Sequence, residues 1–129
     1  MTDKVVDASA VVALLFNEPA QEKMAVQLRG ASLHAPDILE YEVANACLKK
    51  MRASPGEWQA LLEAFSLLDA LSIVLERINL AEVIALAERT KLSVYDASYL
   101  SLARALDTEL VTLDDKLARA HQALRGASE

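Results

Sequence analysis

Lys4-Val5-Val6-Asp7-Ala8-Ser9-Ala10-Val11-Val12-Ala13-Leu14-Leu15-Phe16 is the stretch that decides the fold. Its β-branched pair reads as a short strand over 4–7. Asp7 stops that strand and is a good helix cap, and residues 8–16 have the composition of a helix. Leu110-Val111-Thr112-Leu113-Asp114-Asp115 repeats the device near the other end, with a strand over 110–112, an acid, and a helix over 115–124. Strands that run straight into helices point to a parallel sheet with helical crossovers.

The residues between fill in that plan. A helix is expected over 18–29, stopping near Gly30, then a short strand over 33–35 closed by Pro36. A long helix over 38–53 carries Leu39, Val43, Ala46, Cys47 and Leu48 at the helical period. Ser54-Pro55-Gly56-Glu57 has the form of a capping box with proline at the first helical position, and starts a helix that runs to about residue 71. Its stripe of Trp58, Leu61, Leu62, Phe65 and Leu68 reads as core plus a candidate dimer surface. A strand is expected over 72–75, a helix from the capping-box stretch Asn79-Leu80-Ala81-Glu82, and a further helix over 93–106. Residues 126–129 read as a frayed end. The fold class is therefore α/β, in one domain over residues 1–129.

Composition narrows the function. Only 5% of residues are aromatic against 53% hydrophobic overall, which suits small-residue helices packed on a sheet. A single cysteine, Cys47, excludes an internal disulfide and a cysteine-rich zinc site, and its helical spacing from Val43 and Met51 makes it a core residue. Gly30, Gly56 and Gly126 are the only glycines, so a phosphate-binding loop, a dinucleotide fingerprint and a nucleophile elbow are all absent. Ser9 stands where an aspartyl-nucleophile phosphatase would have its second aspartate. The apolar run 11–16 is too short to span a bilayer, and nothing resembles a secretory signal, so the chain is expected in the cytoplasm. A net charge of −6 argues against nucleic-acid binding through a broad basic face.

Four acids stand out. Asp7, Asp96 and Asp114 each have an ordinary explanation as helix-start residues. Glu42 is harder to dismiss, because it falls inside a helix with Asn45 on the same stripe, although a solvated glutamate or one paired with Lys49 is its ordinary reading. In an open parallel sheet, ligands bind beyond the carboxyl ends of the strands where the strand order reverses. Asp7 and Asp114 both follow strand ends, and the helices bearing Glu42 and Asp96 need only border the same crevice. Carboxylates so gathered repel unless cations compensate them, and hard oxygen donors select Mg²⁺ or Mn²⁺. Divalent metal on carboxylates is suited to phosphodiester hydrolysis without a histidine base. His34 and His121 stand at no ligand spacing and read as structural.

These same segments carry a family resemblance. Val5-Val6-Asp7-Ala8-Ser9-Ala10 is similar to the opening strand of PIN-domain nucleases, and Pro36 through Glu42 to Asn45 resembles their second acidic motif. Tyr95-Asp96-Ala97-Ser98-Tyr99-Leu100 resembles the third, and Leu110-Val111-Thr112-Leu113-Asp114 the fourth. In size and style the chain most resembles the VapC toxins of toxin–antitoxin pairs. The resemblance implies a three-layer α/β/α domain with a central parallel sheet of four or five strands. It implies a Mg²⁺-dependent endoribonuclease, with Mn²⁺ able to substitute, that forms a homodimer and is held inactive by a VapB-type antitoxin. Carried over position by position, Asp7, Glu42, Asp96 and Asp114 are the metal-binding acids. Ser9 and Thr112 orient a carboxylate or a water, Asn45 contacts substrate or supports the site, and Asp115 is an outer neighbour of Asp114. Lys49, Lys50, Arg52 and Arg104 are candidates for positioning RNA around the cleft. Relatives commonly continue into a fifth, edge strand that is lacking here, so the strand at 110–112 is expected at the sheet edge. Two other readings of the residues stay open: a housekeeping RNA-processing or DNA-directed nuclease on the same site, and a non-enzymatic binding module whose acids are only caps.

Overall fold

The opening strand forms because Val5 and Val6 are fully buried on both sides of a sheet that receives helices on each face. The structure is a computed structural model and describes residues 2–128. Its strands are β1 (Thr2–Val6), β2 (Ala31–Pro36), β3 (Val74–Glu76) and β4 (Glu109–Val111). Its α-helices are α1 (Ala8–Leu15), α2 (Gln21–Leu28), α3 (Leu39–Ala53), α4 (Trp58–Ser66), α5 (Leu80–Thr90), α6 (Val94–Leu106) and α7 (Asp115–Ser128). The sheet is parallel throughout, in the order β3-β2-β1-β4. Among the described residues β4 lies at the sheet edge, where the strand over 110–112 is expected.

This order places the topological switch beside β1. The chain leaves β1 toward β2 and β3, then returns across the sheet to lay β4 on the other side of β1. Right-handed crossovers in opposite directions put their helices on opposite faces. α1 packs with α2 and α3, while α6 crosses β1 and β2 with α5 and α7 beside it. Tyr99, Leu100, Met24, Leu39 and Leu117 fill the core between layers. The amide of Asp7 still bonds to the carbonyl of Val111 at 3.2 Å, so the β1–β4 ladder is held up to the point where α1 begins.

Several boundaries differ from the expected ones. β1 ends at Val6, and Asp7 is the cap of α1. β2 is longer than expected because it pairs on both sides, and Pro36 is tolerated as its last residue. β3 begins only at Val74 because Ser72, at φ 52°, is left-handed and closes the preceding turn. α2 begins at Gln21, after a turn through left-handed Asn17 and Pro19.

The expected helix over 55–71 is divided into a 3₁₀ turn at Pro55–Glu57, α4, and a second 3₁₀ turn at Leu67–Leu71. Ser54 does not cap with its side chain. Its amide still bonds to the Lys50 carbonyl at 2.9 Å, so it closes α3 instead of opening α4. The α4 stripe is mostly surface: Trp58 and Leu62 are half exposed, and of the stripe only Leu68 is buried. α7 continues to Ser128, so 126–128 are helical, and Glu129 lies outside the described residues.

Candidate active site

Asp7 is the centre of the site. It is only 5% exposed, and both its carboxylate oxygens are held. Oδ1 accepts from the Ser9 hydroxyl at 2.7 Å and from the Ala10 amide at 3.1 Å, while Oδ2 accepts from the Thr112 hydroxyl at 2.5 Å. Ser9 Oγ in turn accepts from the Leu113 amide at 2.9 Å, and Thr112 Oγ1 from the Asp114 amide at 3.0 Å. The end of β4 is thus stitched to the start of α1 through two hydroxyls and one carboxylate. Asp114 accepts from the Leu117 amide at 3.0 Å and starts α7, leaving it exposed at the mouth.

Asp96 lies in the first turn of α6, half-buried, with its amide bonded to Ser93 Oγ at 3.0 Å. Glu42 approaches from α3, and its Oε1 accepts from the buried Tyr99 hydroxyl at 2.5 Å. That bond is the structural reason for a glutamate inside the helix. Tyr99 lies three residues beyond Asp96, on the same face of α6. The motif letter was visible in the sequence; its partner, 57 residues away, was not.

Electrostatics link the four acids. Burial raises the Asp7 carboxyl above its usual range, against the lowering effect of its Thr112, Ser9 and Ala10 bonds, and the charge of Asp114 adds to the rise. Burial raises Glu42 against the Tyr99 bond, with further repulsion from Asp96 and Asp7. Burial also raises Asp96, with repulsion from Asp114, while Lys116 acts the other way. Burial and the neighbouring Glu42 push the Tyr99 phenol well above its usual range, so it stays a donor. Among the described residues no three His, Cys, Asp or Glu side chains already form a tight metal cage. The acids are instead spread out but within electrostatic reach: Asp114 acts on Asp7 and Asp96, and Asp7 and Asp96 act on Glu42. Mg²⁺ suits such an arrangement, since it keeps several waters and needs only one or two carboxylates directly.

The other expected residues divide. Asn45 lines an open hollow of ≈ 470 Å³ together with Ser9, Val12, Glu42 and Leu113. Glu18, which carried no signal in the sequence, lines it too and binds Lys50 Nζ at 2.8 Å. Lys50 also stands 5.7 Å from the Phe16 ring centre. Lys49 and Arg52 are exposed near the end of α3, and Asp115 is exposed in the first turn of α7. Arg104 lies in the last turn of α6, eight residues and about 12 Å along the helix from Asp96, the same helical separation as Lys50 from Glu42 on α3. Both histidines are structural. His34 bridges Glu76 at 2.9 Å and Asp3 at 3.0 Å across β1–β3, and His121 Nε2 accepts from the Leu110 amide at 3.2 Å.

The PIN domain matches residues 4–122, nearly the whole chain. This chain belongs to the PIN-domain family. Among its PIN-domain relatives, Ribonuclease VapC3 of Pyrobaculum aerophilum is 36% identical over 125 residues, covering 93% of this chain and 95% of that protein. Ribonuclease VapC12 of Mycobacterium tuberculosis is 32% identical over 120 residues, covering 91% of each. The crystal structure of PAE2754 from Pyrobaculum aerophilum superposes with a TM-score of 0.77 at 29% identity, covering 99% of this chain and 97% of that one. No helix among the described residues is long and apolar enough to cross a membrane.

Proposed function

We propose that this chain is a Mg²⁺-dependent endoribonuclease, that it acts in the cytoplasm, and that it is the toxin of a toxin–antitoxin pair. The observation that carries this is Asp7, buried where β1 meets β4 with both carboxylate oxygens held by Ser9, Ala10 and Thr112. A buried carboxyl with Asp114 as a charged neighbour, like Glu42 with Asp96 and Asp7, favours a compensating divalent cation. Relatives named ribonuclease VapC over more than nine-tenths of the chain supply the substrate class.

Asp7 has no freedom to rotate, because Ser9, Ala10 and Thr112 hold it. Glu42 is fixed by Tyr99 in the same way. Asp96 and Asp114 are more open and complete the ring. When bound, Mg²⁺ would supply the positive charge that brings an RNA phosphate to this acidic surface, polarises its phosphoryl oxygen and activates a water. The chain's own acids position that charge, and Lys49, Lys50 and Arg52 lie within one or two turns of Asn45 to guide the RNA backbone.

The toxin role entails a VapB-type antitoxin that blocks the crevice. The exposed Trp58, Leu62 and Leu67 supply an apolar face that suits a homodimer.

The test is cleavage of single-stranded RNA and DNA by purified wild-type protein and Asp7→Asn, with Mg²⁺, with Mn²⁺ and with chelator. RNA cleavage in either metal, absent in chelator and in the variant, is expected. Cleavage by Asp7→Asn at the wild-type rate sinks the site assignment, and growth unaffected by expression of the active enzyme sinks the toxin role.

A further inference from the structure

Along the carboxyl edge of the sheet Asp7 follows β1 and Asp114 follows β4, while Glu42 stands in the first turn of α3 after β2. Beyond β2 and β3 lies an open basin of ≈ 550 Å³, with Ile38, Arg77, Leu80, Val94 and Tyr95 among its walls. Leu80 is 61% exposed, Tyr95 58% and Val94 41%, so three large side chains offer solvent a shared apolar surface with one aromatic ring. Arg77 and Asp37, also in its lining, give it one charge of each sign.

The basin is continuous with the candidate site through two helices. Ile38 precedes α3 by one residue, and its carbonyl accepts the Glu42 amide at 3.2 Å, so the two lie one turn apart. Tyr95 immediately precedes Asp96 in the first turn of α6. With strands spaced at ~4.8 Å, the β2–β3 midpoint lies about 10 Å from the β1–β4 midpoint, within reach of a nucleotide flanking the one in the crevice.

We infer that this basin is a nucleobase subsite, which takes an unpaired base of the RNA whose backbone lies at the acids. This rests on the ribonuclease reading above and adds to it the means of choosing where RNA is cut. An unpaired base has a π face, apolar flanks and a polar edge. Tyr95 offers a ring for stacking, and Arg77 a planar cation that serves a base or the adjoining phosphate. Leu80, Val94 and Ile78 provide apolar walls, and Asp37 an acceptor for a base amino group. An apolar protein segment has a different seat available on α4 and the turn after it, where Trp58, Leu62 and Leu67 are 50%, 51% and 56% exposed.

The experiment measures binding of labelled single-stranded A, C, G and U oligonucleotides by anisotropy with Asp7 intact and Ca²⁺ in place of Mg²⁺, and maps cleavage in Mg²⁺. Tyr95→Ala is expected to weaken binding about 5- to 150-fold, the range for one lost base stack. Cleavage by the active protein carrying Tyr95→Ala is expected to show a raised KM, a nearly unchanged kcat and a relaxed base preference beside the cut. Tyr95→Trp is expected to retain binding and preference. Val26→Ser, on the exposed side of α2, serves as the surface control, and thermal melts verify that each variant folds. A folded Tyr95→Ala with wild-type affinity and cut sites overturns the subsite while leaving the nuclease standing. Loss of VapB-type antitoxin binding with RNA binding intact also overturns it, making the basin a protein dock. Active protein that neither binds nor cuts RNA overturns the subsite and the function together.

Discussion

On the proposed function Asp7 would combine two requirements that oppose each other: its carboxylate would have to be charged to hold a cation, yet it is buried. Its folded-state pKa is raised, so the folded chain holds this proton more tightly than the unfolded chain does. The resulting stabilisation is complete below the unfolded value and is lost as pH rises through the folded one. In metal-free protein at neutral pH, Asp7→Asn is therefore expected to melt a few degrees higher than wild type, while cleavage disappears. The difference should vanish in melts below about pH 3.5, where the wild-type carboxyl is neutral in both states. A variant that melts lower at neutral pH shows instead that the amide cannot keep the Ser9 and Thr112 bonds. Tyr99→Phe isolates a second residue. It retains the ring and removes the donor to Glu42, at a cost of about 1 kcal/mol in stability. Because that bond lowers the Glu42 pKa, its loss should move the acid limb of the kcat/KM profile to higher pH. An unmoved limb means that Glu42 does not titrate in the rate-limiting chemistry.

At the scale of elements, much was legible because the signals were local. Asn79 Oδ1 accepts from the Glu82 amide at 3.2 Å and Ser93 Oγ from the Asp96 amide at 3.0 Å, both at spacings visible in the sequence. The strand–acid–helix pattern at Asp7 and Asp114 was equally direct, since each aspartate accepts an amide bond from three residues on. Ser54 shows the limit. It has the same letters at the same spacing as a cap, but α3 had already claimed it as its closing residue. The stripe expected as core plus a candidate dimer surface divides accordingly, with Leu68 buried and Trp58 and Leu62 exposed, because periodicity reports an apolar face without reporting which part of it meets the core. His121 was read as structural, yet its partner was hidden, because the Leu110 amide it receives belongs to the edge strand. That bond joins α7 to β4. His121→Leu should leave the amide buried and unpaired and cost about 1–3 kcal/mol in urea unfolding. Cleavage by the folded fraction should persist, since His121 lies on the helix beyond the acids. Stability equal to wild type would show that water reaches the amide.

For the whole molecule, the governing quantity is negative charge. A chain of net charge −6 would meet RNA as a polyanion meeting a polyanion, so on the proposed function a cation binds before or with the substrate. The same cation should stabilise the fold, because it relieves the repulsion that links Asp7, Glu42, Asp96 and Asp114. Mn²⁺ added to wild-type protein should therefore raise the melting temperature, by about 2.7 kcal/mol in stability when the ion is at a hundred times its Kd. Chelator should reverse the gain. Asp7→Asn, already freed of its buried charge, should begin higher and gain much less, so the two melting curves converge as Mn²⁺ increases. Glu42→Gln, Asp96→Asn and Asp114→Asn should each fall between these limits, with losses that do not add, because each acid is coupled to at least one other. Equal Mn²⁺-induced shifts in wild type and Asp7→Asn would place the ion elsewhere on this acidic surface and separate metal binding from the crevice.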